Sequence, residues 1–218
     1  EPGETTVTED ELNSIGLMDL HAAVIQKVLS TEKWSVRMHY GLNIPIGKVE
    51  NSDKFGAYSN QKLGYMMQHS SATIDLEPKL TVIRYFDSFS LGGQFGTVIR
   101  TKRARFNFAY GNEVNGHLWA TKTWVPFLST FGRVSFAYQQ ESDGADPDLE
   151  TTFSPTMDPQ NLGHTYAELG LGAYVHLDWW LFSNTRFYSE WTKPLYQNVV
   201  GIQVVEESRL RFGIRHNF

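Results

Sequence analysis

The sequence predicts an all-β protein, an antiparallel transmembrane β-barrel with about nine strands in its 218 residues. Three observations carry this. Apolar and polar residues alternate with period two along most of the chain; the connections between these segments alternate between short and long; and tyrosine and tryptophan collect near segment ends, with a phenylalanine, Phe218, as the last residue.

The alternation is plainest in the terminal stretch SRLRFGIRHNF. Leu210, Phe212, Ile214, His216 and Phe218 fall on one face of a strand, and Arg209, Arg211, Gly213, Arg215 and Asn217 on the other. Successive side chains of a strand point to opposite faces, so one face is oily and the other carries three arginines. The same reading applies in order along the chain to segments near 18–29, 33–44, 72–86, 89–100, 116–127, 131–140, 164–177, 181–194 and 207–218. In SVRMHYGLNI, Val36, Met38, Tyr40, Leu42 and Ile44 oppose Ser35, Arg37, His39, Gly41 and Asn43. In TIDLEPKLTV, Ile74, Leu76, Pro78, Leu80 and Val82 oppose Thr73, Asp75, Glu77, Lys79 and Thr81. In TYAELGLGAYVHL, Ala167, Leu169, Leu171, Ala173, Val175 and Leu177 oppose Tyr166, Glu168, Gly170, Gly172, Tyr174 and His176. The segment at 116–127 is the least regular of the set.

The connections read as short at STEK, long at 45–71, short at FDSF, longer at 101–115, short at LSTFG, long at 141–163, short at DWW and medium at 195–206. Short turns at one end and long loops at the other are the pattern of bacterial outer-membrane barrels. A soluble sandwich or lipocalin-like barrel also alternates, with its oily face inward, but nothing obliges it to sort loops by length. Trp34, Tyr40, Trp119, Trp124, Tyr138, Trp179, Trp180, Trp191 and Tyr196 are candidates for interfacial girdles. Phe218 fits the terminal aromatic that barrel-assembly machinery reads.

Composition is compatible with this and removes other classes. The net charge of −5 and pI near 5.8 give no basic footprint for nucleic acid. The absence of cysteine excludes disulfides, thiolate metal sites and covalently attached c-type haem. No run approaches the roughly 18 apolar residues of a membrane helix. A mean hydropathy of −0.35 is what a barrel tolerates, because only alternate residues meet lipid.

Single-chain barrels of this type have an even strand number, with both termini on the periplasmic side. With Phe218 periplasmic, the count of nine places the acidic, turn-rich residues 1–16 outside the cell as a loop remnant, ahead of barrel residues 17–218. The expectation is that an odd number of strands, most simply about three, completes the barrel from the N-terminal side. The alternative is an irregular strand hidden within 45–71.

Three segments resemble the family of Gram-negative outer-membrane channels named for the meta-pathway of phenol degradation, the MetA-pathway phenol degradation-like transporters. They are MMQHSSATIDLEPKLT, DGADPDLETTFSPTMDPQNLG and PLYQNVVGIQV; IGLMDL and GLNIPIGKV match further pieces in order. Ser71 and Ala72 stand where the family usually has glycines, and Lys79 replaces another. The resemblance implies a barrel of about twelve strands. It also implies passive uptake of small, often aromatic or hydrophobic, molecules.

The lumen list is the candidate site: Arg37, His39, Asp75, Glu77, Lys79, Arg100, Arg133, Tyr166, Glu168, Arg186, Glu190, Arg209, Arg211 and Arg215, with Asp19 and His21 nearby. So many charges must be paired or wet. They form either a selective constriction or a salt-bridge ladder that fills the interior. Gly41, Gly92, Gly96, Gly170 and Gly172 either open the lumen or accommodate strand curvature. The loop residues Asp143, Asp146, Asp148 and Glu150 are a weak Ca²⁺ candidate without EF-hand spacing. His69, Ser70 and Ser71 lack a convincing third member for catalysis. The function expected is therefore a passive outer-membrane channel without cofactor. Its expected partners are outer-membrane lipid and lipopolysaccharide, the assembly machinery and a small-molecule solute. The alternatives are a structural barrel within a larger envelope complex and, less favoured, a lipid-modifying enzyme.

Overall fold

Period-two sequence leaves a chain one way to satisfy its backbone, lateral pairing, and the computed structural model shows that pairing between successive strands. It describes residues 14–52, 61–101, 107–149, 154–177 and 185–216. The strands are β1 (Leu20–Ser30), β2 (Trp34–Ile44), β3 (Asp75–Tyr85), β4 (Phe89–Arg100), β5 (Phe108–Ala109), β6 (Glu113–Val125), β7 (Leu128–Gln139), β8 (Asp143–Gly144), β9 (His164–Leu177), β10 (Thr185–Val199) and β11 (Arg209–His216). Nine of them form one sheet in the order β1-β2-β3-β4-β6-β7-β9-β10-β11, every neighbour antiparallel. The two-residue strands β5 and β8 pair separately inside the long connections. No helix is long and apolar enough to cross a membrane among the described residues.

The nine expected segments are the nine sheet strands, with two local corrections. LSTFG is not a turn: Pro126 and Phe127 make the turn, Val125 pairs with Leu128, and Leu128–Thr130 are already strand. A proline has no N–H to give to the ladder and presets a turn backbone, so the chain reverses there rather than at the glycine. The strand expected at 181–194 runs instead from Thr185 to Val199. Its internal Pro194 is tolerated because the register slips between Pro194 and Tyr196. Within 45–71 the described residues add no strand to the sheet; they hold one isolated bridge, Ser52 to Lys62, and a 3-10 turn at Tyr65–Met67. Residues 1–13, 178–184, Glu150 and Phe218 lie outside the described residues, so the extracellular remnant, Trp179, Trp180 and the terminal aromatic are placed by sequence alone.

The faces are sorted as the alternation requires. Leu76, Leu80, Leu91, Phe95, Leu118, Val134, Phe136, Leu171, Leu210, Phe212 and Ile214 share one face, and all are exposed. Phe212 is 74% accessible. A continuous apolar face of this size is incompatible with water and suited to acyl chains. At the short-turn end it is rimmed by Trp34, Phe86, Phe89 and Trp124. Arg84 sits over Trp34 and Phe86, and Lys122 over Trp124, the arrangement of an interfacial aromatic belt with snorkelling cations. Trp119 is not part of that belt. It lies mid-strand in β6 and faces the opposite side, opposite Gly92 and Arg133.

The apolar core sits where a soluble protein would not put it. Tyr65, Phe108, Leu149, Met157 and Leu162 are buried against one another with Tyr110 packed alongside, and all belong to the long connections. These loops form a folded cap at the long-loop end. Ala72, at a position where glycine was noted as usual, sits in the cap's descent into β3 with φ of 57°. A Cβ in the left-handed region costs about 1 kcal/mol or more. Ala72→Gly is therefore expected to raise stability by about 1 kcal/mol, seen as a higher temperature for the loss of the folded, fast-migrating band in semi-native electrophoresis.

Candidate functional site

The cross-strand register places every described member of the lumen list on one face. Through β2 and β3, Arg37 opposes Thr81, His39 opposes Lys79, Gly41 opposes Glu77 and Asn43 opposes Asp75. Asp75 opposes Arg100 across β4. On the far side Arg133 opposes Gly170, Glu168 opposes Ser135, and Tyr166 opposes Ala137. Arg186, Glu190 and Thr192 then oppose Arg215, Arg211 and Arg209. The same face also carries residues that sequence reading missed: Lys27, Gln94, Glu113, His117, Trp119, Phe131 and Tyr188. Most of these lie on or beside β6, the segment of least regular alternation. One cleft touches both Gln94 of β4 and Arg211 of β11, so the sheet curls around this face and makes it the inner one.

Ion pairing on the inner face is uneven. Arg133 reaches Glu190 at 2.6 Å although β9 lies between their strands, and Arg211 approaches the other carboxylate oxygen at 3.7 Å. Gly170 makes this crossing possible, because a Cβ there would lie 2.7 Å from Glu190 Oε1. Neighbouring side chains also fill the space above the other inner glycines. Trp119 covers Gly92, Phe131 covers Gly172, Lys79 and Asn115 close on Gly96, and Glu77 with His21 crowds Gly41. These glycines are therefore seats for larger neighbours rather than openings. His21 and Lys79 both meet Glu77 at 3.2 Å. Arg209 pairs with Glu206. His39 shares the Thr81 hydroxyl with the Gln94 amide.

At the long-loop end the polar groups lock together. Asp75 is completely buried; it is paired with Arg100 and accepts from the Thr73 hydroxyl at 2.5 Å, the Asn43 amide at 3.2 Å and the Ser71 hydroxyl at 3.2 Å. Asp19, just before β1, accepts from the Ser71 N–H at 2.8 Å, the Asn43 amide at 3.1 Å and the Gly47 N–H at 3.1 Å. Burial works to raise the Asp19 pKa, but the donors of Ser70, Ser71, Asn43 and Gly47 outweigh it and hold the carboxyl below its ordinary value. In the cap, Tyr110 donates to the Tyr65 carbonyl at 2.6 Å, and burial pushes its hydroxyl up to about 12.

The acidic loop is organised by a lysine. Lys62 Nζ lies 2.5 Å from Asp146 and 3.7 Å from Asp148, and the Asp148 N–H closes a turn on the Asp146 carboxylate. Asp143 sits apart in β8, paired with Ala109, and Glu150 is outside the described residues. Among the described residues no three His, Cys, Asp or Glu are grouped to hold a metal. His69 meets Ser14 at 3.1 Å rather than its sequence neighbours Ser70 and Ser71, and its buried Nδ1 has no hydrogen-bond partner among the described residues. A hydrolytic triad would need an acid there.

Three clefts follow the inner face from one end to the other. One of about 470 Å³ lies under the cap, lined by Asp19, Arg100 and Tyr166 among others. A middle one of about 260 Å³ shares Tyr166 with it. The largest, about 940 Å³, lies toward the short turns and shares Gln94 and His117 with the middle one.

No family model matches the sequence, and no curated protein matches it. In three dimensions it matches the crystal structure of an outer membrane channel from Pseudomonas putida F1, with a TM-score of 0.63 and 9% identity. The fold is that of an outer-membrane β-barrel. The match covers 92% of this chain but 66% of the channel, so the chain spans just under two thirds of its structural neighbour. At this identity the similarity is one of fold.

Two outcomes follow. Arg100→Met leaves the buried Asp75 carboxylate without its cation and is expected to cost about 3 kcal/mol. Asp75→Asn in the same background recovers part of that loss in thermal unfolding. Asp19 takes up protons less readily when folded than when unfolded, so its contribution is fully present above its ordinary pKa of 3.8 and is lost as pH falls through the lower folded value. Unfolding followed between neutral pH and strong acid shows this loss in the wild type, and Asp19→Asn removes that share of the pH dependence.

Proposed function

We propose that this chain forms most of the wall of an outer-membrane channel for passive uptake of small molecules. The observation that carries the reading is the run of three overlapping clefts along a polar inner face, joined through Tyr166, Gln94 and His117, behind an exposed apolar outer face. Among the described residues β1 and β11 each keep one unpaired edge. An open edge in hydrocarbon costs several kcal/mol for each unsatisfied backbone group. We therefore read the working barrel as closed by further strands, about three in the simplest even count. The compartment is the outer membrane, with lipid and lipopolysaccharide around the apolar face.

The resemblance to phenol-degradation channels favours small aromatic or hydrophobic solutes. The lumen-lining role falls to the residues from Arg37 to Arg215 that share the inner face. A structural barrel is the second reading, and the packed cap of Tyr65, Phe108, Leu149, Met157 and Leu162 favours it, because a folded lid at the long-loop end can close a pore. The full-length protein in planar bilayers is expected to give discrete single-channel conductance steps. A barrel that inserts, is heat-modifiable and passes no current would support the structural reading instead.

A further inference from the structure

The charge on the inner face is not distributed evenly along its length. Toward the long loops the cations are matched: Arg100 by Asp75, Arg209 by Glu206, and Lys79 by Glu77. The cleft toward the short turns is different. It is lined by Arg133, Arg186, Arg211 and Arg215 against a single acid, Glu190. Glu190 is already engaged by Arg133 and Arg211. Arg186 has only a ring nitrogen of His176, at 3.2 Å, as a described hydrogen-bond partner. Arg215 has no acidic partner among the described residues. These two face each other directly across β10 and β11.

Two guanidinium groups on directly paired residues, with no acidic partner among the described residues, repel each other and hold a positive field in a partly enclosed space. An anion relieves that repulsion, and the planar donor fork of arginine matches a carboxylate in a bidentate manner. The walls beside them are aromatic. Phe131 and Tyr174 lie with ring centroids 4.8 Å apart and Tyr174 and Tyr188 at 6.2 Å, with Trp119 in the same cleft. Rings so arranged accept another ring by offset or edge contact.

We infer that the short-turn cleft is a binding site for an aromatic carboxylate: Arg186 and Arg215 take the carboxylate, and Trp119, Phe131, Tyr174 and Tyr188 take the ring. The inference rests on the channel reading for its physiological meaning, since it makes the solute an anion, but the site stands on its own geometry. At about 940 Å³ the cleft exceeds what one benzene ring with a carboxylate occupies. The solute is therefore held by charge and stacking at one wall, not by enclosure, and affinity is weak enough to release it onward.

Binding and conduction are separable in the test. Isothermal titration of the full-length protein in neutral detergent with benzoate, benzyl alcohol, benzylammonium and acetate is expected to rank benzoate first, by about tenfold over benzyl alcohol, with no saturable binding of benzylammonium. Arg186→Gln with Arg215→Gln is expected to weaken benzoate about tenfold and leave benzyl alcohol unchanged. Trp119→Ala weakens benzoate but not acetate. The wild-type ligand series needs no variant to fold. Equal binding of benzoate and benzylammonium, or no saturable benzoate binding, overturns the inference. Benzoate binding by a protein that conducts no current leaves the site in place and overturns the channel reading. Current that benzoate neither blocks nor follows, with no binding, overturns the site and leaves the channel.

Discussion

Backbone hydrogen bonding in a medium without water is the constraint from which the rest of this structure descends. In hydrocarbon an unpaired N–H or C=O has no solvent to turn to, so a spanning chain must be helical or laterally paired. This sequence has almost no helical periodicity to use. Its nine long strands pair in strict neighbour order, and residues then sort by parity. Every Leu, Phe or Ile at an outward position can be exposed because the environment, not the protein interior, is what it dissolves in. The polar face is thereby forced together, and charges that would be solvated in a soluble sheet must find one another across strands.

That second consequence shapes the inner wall. Glu190 can serve Arg133 two strands away only because Gly170 on the intervening strand offers no side chain. Trp119 can lie close over Gly92, and Phe131 over Gly172, for the same reason. Glycine on this wall removes a Cβ so that a larger neighbour can lean over it, and the wall gains both its ion pairs and its aromatic surface from that exchange. The cost is strand propensity, which closed lateral pairing offsets.

The strands were legible because period two is a local signal, and parity survives errors of several residues at an element's ends. That is why Arg37, Glu168 and Arg211 share the one face that parity predicts although β10 proved to be shifted. The turn at Pro126 was misread because LSTFG has a glycine and polar residues, whereas the decisive property was a missing N–H one residue earlier. Trp119 was assigned to an interfacial belt on residue type alone; its mid-strand position depended on where β6 begins, and the irregular alternation there hid this. Long-range partners were not legible at all. Nothing near Lys62 in sequence announces Asp146, and nothing near Ser14 announces His69, because loop packing sets those distances.

The long connections obey the opposite rule from the strands they join. They lie in water, so they bury their apolar residues, and Tyr65, Phe108, Leu149, Met157 and Leu162 make a small core that any soluble domain could hold. One chain thus follows two solvent rules, and the boundary between them falls where Asp19, Asn43, Ser71, Asp75 and Arg100 interlock. A polar network suits that boundary because neither rule supplies the other side's contacts: hydrocarbon would not tolerate these charges unpaired, and water alone would not fix the direction in which β1 and β3 leave the cap. The network ties the cap to the barrel rim through groups that have no better partner in either medium, so the rim is held by hydrogen bonds and charge where the rest of the molecule is held by apolar contact on one side and ladder pairing on the other.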